Sequence, residues 1–142
     1  MLNSKISGVG IYVPDNVIRN NDLESMMNTS DEWIQERTGI KERRWVNNEK
    51  LTTSQMGTYA SENAIEDAGI SKDDIDFIIF STLSPDYFFP GSGVLLQRNL
   101  GIREVGALDV RNQCSGFIYA LSIADQYIKS GMYKNILIVG SE

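Results

Sequence analysis

The chain has 142 residues, of which 42% are hydrophobic and 23% charged, a composition typical of a globular protein and not of a disordered one. Its 13 basic and 19 acidic residues give a formal net charge of −6, which argues against nucleic acid or an anionic membrane as a partner, and no apolar run is long enough to span a membrane. A single cysteine excludes an internal disulfide and favours a cytoplasmic location, while the absence of histidine argues against a metal site.

Hydrophobic periodicity and capping residues predict strands that alternate with helices along the chain. In chain order the predicted elements are a strand at 5–13, a short helix at 22–27, a helix at 31–38, an extended segment at 41–46, a helix at 53–68, a strand at 76–83, a helix at 91–99, a strand at 106–110, a helix at 115–129 and a strand at 135–140. Asn20 or Asn21 is expected to cap the first helix and Ser30 the second, and Ser71 with Asp74 resembles a capping box for one brief turn. A glycine after each of the second, third and fourth helices marks its end.

The alternation of strands and helices indicates the fold class. It implies right-handed βαβ crossovers, and therefore an α/β fold with a parallel sheet covered by helices. The segments at 76–83 and 135–140 are apolar and β-branched, which is typical of strands buried on both faces. After the last strand only Ser141 and Glu142 remain, where a further element would normally follow. We therefore expect residues 1–142 to form one incomplete half-domain.

Cys114 lies where the strand at 106–110 gives way to the helix at 115–129. Apolar residues cover so much of that helix that we expect it to be largely buried. Unpaired N–H groups and the positive dipole end at the start of a helix favour a thiolate, which suits a nucleophile. The alternative is that Cys114 is a small core residue, and its position alone favours that alternative because free cysteines are usually buried.

Two blocks of sequence carry a resemblance to a known family. The cysteine block reads CSGF at 114–117, continues as YAL at 119–121 and runs through ADQY at 124–127 to KSG at 129–131. The other block is TSDEWIQERTGI at 29–40, and shorter matches such as GVGIYVP at 8–14 stand in the same order. These blocks resemble the N-terminal half of β-ketoacyl-acyl carrier protein synthase III, and the resemblance covers almost the whole chain.

The resemblance implies a thiolase-like αβα layered fold with a mainly parallel sheet, of which this chain is the first of two similar halves. It implies that Cys114 takes an acyl group from acyl-coenzyme A. The acyl-enzyme would then condense with malonyl-acyl carrier protein as the latter loses carbon dioxide, which starts fatty-acid synthesis. The coenzyme A thioester is a substrate in this scheme, so no separate cofactor and no metal are expected.

The family's centre is completed by a histidine and an asparagine that lie in the second half of the fold. This chain alone is therefore expected to be inactive until that half is supplied in the same polypeptide or by a second one. The resemblance also implies that the parent protein is a homodimer. In the family, the phenylalanine equivalent to Phe89 reaches across the dimer interface to the partner's acyl pocket. The alternative for Phe89 is ordinary interface packing together with Tyr87 and Phe88.

Trp33 and Arg37 are four residues apart on the predicted helix at 31–38, so they share a face. An indole and a guanidinium on one face can flank an adenine ring by stacking and cation–π contact. The resemblance assigns both residues to coenzyme A binding and adds Thr29 as a polar contact. Without the resemblance, the commoner interpretation is that Trp33 is a core anchor and Arg37 a surface charge.

The chain departs from the family just before the cysteine, where Arg111, Asn112 and Gln113 stand in place of the small residues of many members. This leaves the acyl group open, from acetyl to a medium-chain or unusual acyl-coenzyme A. A related synthase of the alkylquinolone type remains an alternative. Two others are a non-catalytic, partner-dependent subunit that keeps only the fold, and an isolated nucleotide-binding module that uses Trp33 and Arg37.

Overall fold

A computed structural model describes residues 2–47 and 51–142 of the chain. These residues form two compact units. We call Val13–Leu51 the hairpin unit, and we call the segment that ends at Tyr12 together with Thr52–Glu142 the sheet unit. Within the described residues no helix combines the length and apolarity that a membrane span requires.

The hairpin unit is built from two short strands and the two helices between them. In chain order they are β1 (Val17–Arg19), α1 (Asn20–Glu24), α2 (Asp31–Thr38) and β2 (Glu42–Arg44). The strands are antiparallel, with Ile18 opposite Arg43. Helix α2 has the predicted bounds and the predicted cap, because the Ser30 hydroxyl accepts the N–H of Trp33 at 3.2 Å. The helix ends at Gly39, whose φ of 70° is the left-handed conformation that glycine adopts most easily.

The prediction for the first helix was wrong at both ends, because α1 begins at Asn20 and ends at Glu24. The residue before it, Arg19, takes the cap position, and its N–H donates to the Asp22 carboxylate at 2.7 Å. Asn20 does not cap the helix because its side chain is turned to the interior of the hairpin unit, where the residue is only 1% exposed. Strand β1 was not predicted from the sequence.

The prediction of a strand at 5–13 was also wrong, since none of its residues forms a strand in the structure. A strand needs a neighbouring strand to bond, and here the backbone bonds to side chains of a helix. The N–H of Val9 donates to the Asp67 carboxylate at 2.9 Å, and the Asn63 amide donates to the carbonyl of Ile11 at 3.0 Å. Gly10 approaches that helix so closely that a Cβ there would collide with its backbone.

The sheet unit contains three parallel strands and three helices. In chain order its elements are α3 (Thr53–Ala68), a 3-10 turn (Lys72–Asp74), β3 (Phe77–Ser81), α4 (Ser92–Leu100), β4 (Gly106–Val110), α5 (Gly116–Lys129) and β5 (Ile136–Gly140). The strand order is β4-β3-β5, with β3 in the centre. Each predicted helix and strand of 53–140 is present, with ends that differ by no more than two residues. The turn has the predicted capping box between Ser71 and Asp74.

The core lies on both faces of this sheet, which makes the unit a three-layer αβα structure as predicted. Successive residues of β3 point to opposite faces. On one face Phe80 packs in a cluster with Leu96 of α4 and Val139 of β5. On the other face Ile79 packs against Ala120 of α5.

Helix α5 is less buried than its apolar sequence predicted. Its buried residues are Gly116, Ala120 and Ala124, a single stripe of small side chains that faces the sheet. Phe117 and Ile118 in its first turn are exposed. The expectation of a largely buried helix was wrong because the main contacts of α5 with other elements are with β3, β4 and β5, which lie on one side of the helix.

Candidate active site at the carboxyl end of the sheet

Cys114 lies in the turn that joins β4 to α5, and it is a free, exposed cysteine. Three hydrogen bonds form this turn: the Asn112 N–H donates to the carbonyl of Val110 at 3.2 Å, the Gly116 N–H to the carbonyl of Gln113 at 2.6 Å, and the Ser115 hydroxyl to the Asn112 side chain at 3.1 Å. The sulfur is therefore held on an ordered turn and is open to solvent. The alternative of a core cysteine requires burial, which the structure does not show.

The turn is pressed against the ends of the neighbouring strands. A Cβ on Gly116 would collide with the hydroxyl oxygen of Ser81, the last residue of β3. A Cβ on Gly140, at the end of β5, would come within 3.2 Å of the Phe117 ring. The first turn of α5 thus sits at the carboxyl edge of the parallel sheet, the edge at which such sheets place ligands.

Two aspartates at this edge bind the N-termini of helices. The Asp109 carboxylate accepts the N–H groups of Ser92 and Gly93, at 2.6 and 2.9 Å, at the start of α4. The Asp86 carboxylate accepts the N–H of Ser54 at 2.8 Å, and also its hydroxyl, at the start of α3. Both carboxylates compensate a helix dipole, so neither is free to serve Cys114 as a base.

Glu142 adds a third carboxylate, which orders the loop that follows β3. It accepts the N–H groups of Leu83 and Ser84 at 2.9 and 3.1 Å and the Ser84 hydroxyl at 2.6 Å. Burial raises the pKa of this carboxyl, but the hydrogen bonds from Ser84 and Leu83 outweigh burial and leave the pKa below its ordinary value. The residue is an ionised, bonded part of the edge.

The predicted coenzyme A residues all lie in the hairpin unit. The guanidinium carbon of Arg37 is 5.6 Å from the centre of the Trp33 ring, a cation–π contact on one face of α2. Trp33 is 54% exposed, and the buried residue of the helix is its neighbour Ile34, so Trp33 is not the core anchor of the alternative interpretation. The hydroxyl oxygen of Thr29 is buried and has no hydrogen-bond partner among the described residues.

The loop at 85–91 carries the three aromatic side chains singled out in the sequence, and we call it the aromatic loop. Phe88 is 92% exposed and Phe89 87% exposed. The Arg111 Nη2 group donates to the carbonyl of Phe88 at 2.9 Å and to that of Tyr87 at 3.4 Å, and its guanidinium carbon is 5.4 Å from the centre of the Phe88 ring. Sequence reasoning noted Arg111 only as a departure from the family and missed this contact. Two features of the sequence could have indicated this contact: the aromatic residues of the loop, and an arginine directly after a predicted strand.

The fold and the cysteine turn together define a thiolase-like protein. The family model described as 3-oxoacyl-[acyl-carrier-protein (ACP)] synthase III matches residues 108–142, which include Cys114 and α5. The beta-ketoacyl-[acyl-carrier-protein] synthase III 1 of Vibrio vulnificus is 55% identical over 139 residues, a match that covers 98% of this chain and 44% of the relative.

Solved structures give the same result. The crystal structure of 3-oxoacyl-[acyl-carrier-protein] synthase III from Aquifex aeolicus matches with a TM-score of 0.92 and 49% identity, over 96% of this chain and 44% of that one. The priming β-ketosynthase of the R1128 polyketide pathway matches with a TM-score of 0.90 and 34% identity, over 96% and 40%. Over nearly its whole length the chain matches the N-terminal part of β-ketoacyl-acyl carrier protein synthase III proteins, and it spans less than half the length of these relatives.

Proposed function

We propose that this chain is the N-terminal part of an acyltransferase that starts fatty-acid synthesis. The Cys114 thiolate attacks the carbonyl of an acyl-coenzyme A, the carbon–sulfur bond to coenzyme A breaks, and free coenzyme A leaves. The acyl group on the cysteine then reacts with the carbanion that forms when malonyl-acyl carrier protein loses carbon dioxide. The observation that carries this proposal is the exposed Cys114 at the start of α5 in a chain that matches this family.

The local structure supports a covalent role for Cys114. The sulfur precedes the N-terminus of a 14-residue helix, where backbone N–H groups and the helix dipole favour negative charge. The N–H of Cys114 is our proposed donor to the oxyanion that forms on the thioester carbonyl. Gly116 lets the turn lie against Ser81, so the position of the sulfur is fixed by the sheet.

The remaining catalytic groups are proposed to come from outside this sequence. The chain has no histidine, and Asp86 and Asp109 at the same edge are occupied by helix N-termini. We therefore propose that a second half, in the same polypeptide or in a second one, supplies the histidine and asparagine that the resemblance implies. This chain by itself is then inactive, as a half-domain that occupies residues 1–142. The cytoplasmic location stays a prediction.

Thr29, Trp33 and Arg37 are proposed to bind coenzyme A. Trp33 offers an exposed indole and Arg37 lies over its ring, so an adenine ring can stack on this pair. The Thr29 hydroxyl has no hydrogen-bond partner among the described residues, so it can bond a polar group of the ligand after its side chain turns out of its buried position. In a homodimer, Phe89 is proposed to line the acyl pocket of the partner subunit. The coenzyme A thioester is itself the substrate, and the proposal includes no further cofactor.

The proposal is tested by acylation of the full-length protein, or of this chain reconstituted with its second half. After incubation with acetyl-, butyryl- and octanoyl-coenzyme A, intact-mass analysis should show one acyl adduct per chain on the natural sequence and none on Cys114→Ala. Undiminished acylation of Cys114→Ala would remove Cys114 from this role. No adduct on the natural sequence with any of the three would instead favour a non-catalytic, partner-dependent subunit.

A further inference from the structure

Arg111 is the first residue after β4, and it contacts the aromatic loop at three points. Its Nη2 group donates to the carbonyls of Phe88 and Tyr87, and its guanidinium group lies over the Phe88 ring. The two carbonyls belong to the residues directly before Phe89, so one side chain fixes the backbone that leads to Phe89. Hydrogen bonds from a charged donor are stronger than neutral ones, which suits a clamp on an exposed loop.

Within its own subunit the aromatic loop depends on such a clamp, because its tip is exposed in the single chain. Phe88 and Phe89 are almost fully exposed, so few buried apolar contacts hold this segment, and exposed loops of that kind open easily. The loop is tied to the rest of the sheet unit at one end by Asp86, through its bonds to Ser54. Arg111 supplies the tie at the tip.

Arg111 also connects the loop to the nucleophile. It stands three residues before Cys114, and Asn112 beside it donates to the carbonyl of Val110 within the same turn. The segment that positions the sulfur therefore also positions Phe89. In a dimer of the kind proposed above, this couples one subunit's cysteine turn to the acyl pocket of the other.

We propose that Arg111 is a positioning residue that holds the aromatic loop in the shape in which Phe89 narrows the partner's acyl pocket, and that it thereby restricts the acyl groups that Cys114 accepts. The inference rests on the proposed function and names the residue that sets the specificity of the same site. Without Arg111 the loop moves, the pocket widens, and longer acyl groups enter.

The test compares Arg111→Ala and Arg111→Lys with the natural sequence in the full-length protein. The measured quantity is kcat/KM for acylation of Cys114 by acetyl- and by octanoyl-coenzyme A. We expect Arg111→Ala to raise the octanoyl-to-acetyl ratio about tenfold or more, the size of effect that a change in pocket fit produces. Arg111→Lys keeps the charge but loses the planar guanidinium group, so it should also raise the ratio, by a smaller factor.

The control is Arg98→Ala, which changes an exposed arginine of the same unit, and its octanoyl-to-acetyl ratio should stay that of the natural sequence. A ratio unchanged in Arg111→Ala, or an equal fall in both rates, overturns the proposal.

A second measurement tests whether Arg111 holds the aromatic loop, independently of the acylation of Cys114. Chymotrypsin cleaves after Tyr87 and Phe88 when the loop opens, so limited proteolysis of Arg111→Ala should cut there several-fold faster than in the natural sequence or in Arg98→Ala. Equal cleavage rates overturn the clamp. If the natural sequence forms no adduct with any acyl-coenzyme A, the proposed function fails and the role in specificity fails with it, while the cleavage rates still decide whether Arg111 holds the loop.

Discussion

Gly116, the first residue of α5, lies directly against Ser81, the last residue of β3. A Cβ on Gly116 would collide with the hydroxyl oxygen of Ser81, while the Ser81 Cβ would be 3.6 Å away, which is an ordinary contact. The hydroxyl alone is therefore the obstacle. Because Cys114 is two residues before Gly116, this contact decides how closely the cysteine turn approaches the sheet.

The first prediction is that Gly116→Ala destabilises the protein and that Ser81→Ala restores part of the loss. Forcing a methyl group into this contact should lower the free energy of unfolding by about 1–3 kcal/mol. In the double variant the hydroxyl is gone, so the two changes should not add, and the coupling energy should be about 1 kcal/mol. Urea denaturation of the four proteins of this cycle gives the value. Strictly additive losses would show that the collision with the hydroxyl is not the cause.

The second prediction concerns Asn20, which joins three parts of the hairpin unit. Its amide donates to Asp31 at 2.7 Å and to the carbonyl of Ile40 at 2.8 Å, and its oxygen accepts a guanidinium N–H of Arg43 at 2.7 Å. Asn20→Ala leaves these partners unsatisfied, so we expect a loss of about 2–4 kcal/mol in the free energy of unfolding. The control is Asn21→Ala, the next residue of α1, which is exposed and should change stability by less than about 0.5 kcal/mol.

The same variant has an electrostatic consequence at Asp31. The hydrogen bond from Asn20 is the largest influence that lowers the pKa of the Asp31 carboxyl, with a second from Gln35. In Asn20→Ala the pKa of Asp31 should rise toward its ordinary value of 3.8, and Asn21→Ala should leave it in place. An NMR titration of the Asp31 side chain measures this shift, and an unchanged pKa in Asn20→Ala would contradict the assigned bond.

The elements that the sequence predicted well are those whose signals are local. Helix α2 has its cap at Ser30 and its stop at Gly39 within one short segment, and β4 has its predicted bounds. Segment 5–13 shows the limit of such signals, because its alternating residues suit a strand but a strand needs a neighbour in space. Asn20 was misjudged for the same reason, since its partners Ile40 and Arg43 are at least twenty residues away.

The residues of the candidate site also fall into two groups, those that local sequence signals predicted and those that they did not. Cys114 and the pair Trp33 and Arg37 were found from a junction, a spacing and a family resemblance, all of which are readable along the chain. The contact between Arg111 and Phe88 joins residues 23 positions apart, with α4 and β4 between them in the chain, and no periodicity predicts it. The exposure of the first turn of α5 was missed because an apolar sequence does not show which elements cover a helix.

The third prediction is a loss of stability in acid that depends on Asp76. This carboxylate accepts the N–H groups of Asn135 and Lys134, both at 3.0 Å, and pairs with Arg103 at 3.1 Å. The bond from Asn135 is the largest influence on the pKa of the carboxyl, and the net effect lowers the pKa below its ordinary value of 3.8 although burial opposes it. The ionised group therefore stabilises the fold fully above pH 3.8, and this stabilisation is lost as the pH falls through the lowered pKa.

Asp76→Asn removes this titration. Its free energy of unfolding should fall less steeply below pH 3.8 than that of the natural sequence, and it should be less stable at neutral pH. The exposed Asp73→Asn serves as the control and should keep the acid dependence of the natural sequence. The measurement is urea denaturation at a series of pH values. Equal slopes in Asp76→Asn and the natural sequence would show that Asp76 does not carry the effect.

The fourth prediction tests the proposed coenzyme A residues by binding alone. Trp33→Ala removes the exposed indole and the platform beneath Arg37, so coenzyme A should bind about tenfold or more weakly to the full-length protein, as expected for the loss of a stacked aromatic ring with a cation–π partner. Trp45 is the matched control because it is also an exposed tryptophan of the hairpin unit, and Trp45→Ala should bind with nearly the natural affinity.

Arg37→Lys sharpens this test because it keeps the positive charge and removes the planar group that lies over the ring. If stacking matters, this variant should bind coenzyme A more weakly than the natural sequence and more tightly than Trp33→Ala. If only the charge matters, it should bind like the natural sequence. Isothermal titration with coenzyme A and with pantetheine, which lacks the adenine together with its ribose and phosphates, assigns the effect to the nucleotide part of the ligand, since the variants should lose affinity for coenzyme A and not for pantetheine. Equal losses for both ligands would contradict an adenine site on Trp33 and Arg37.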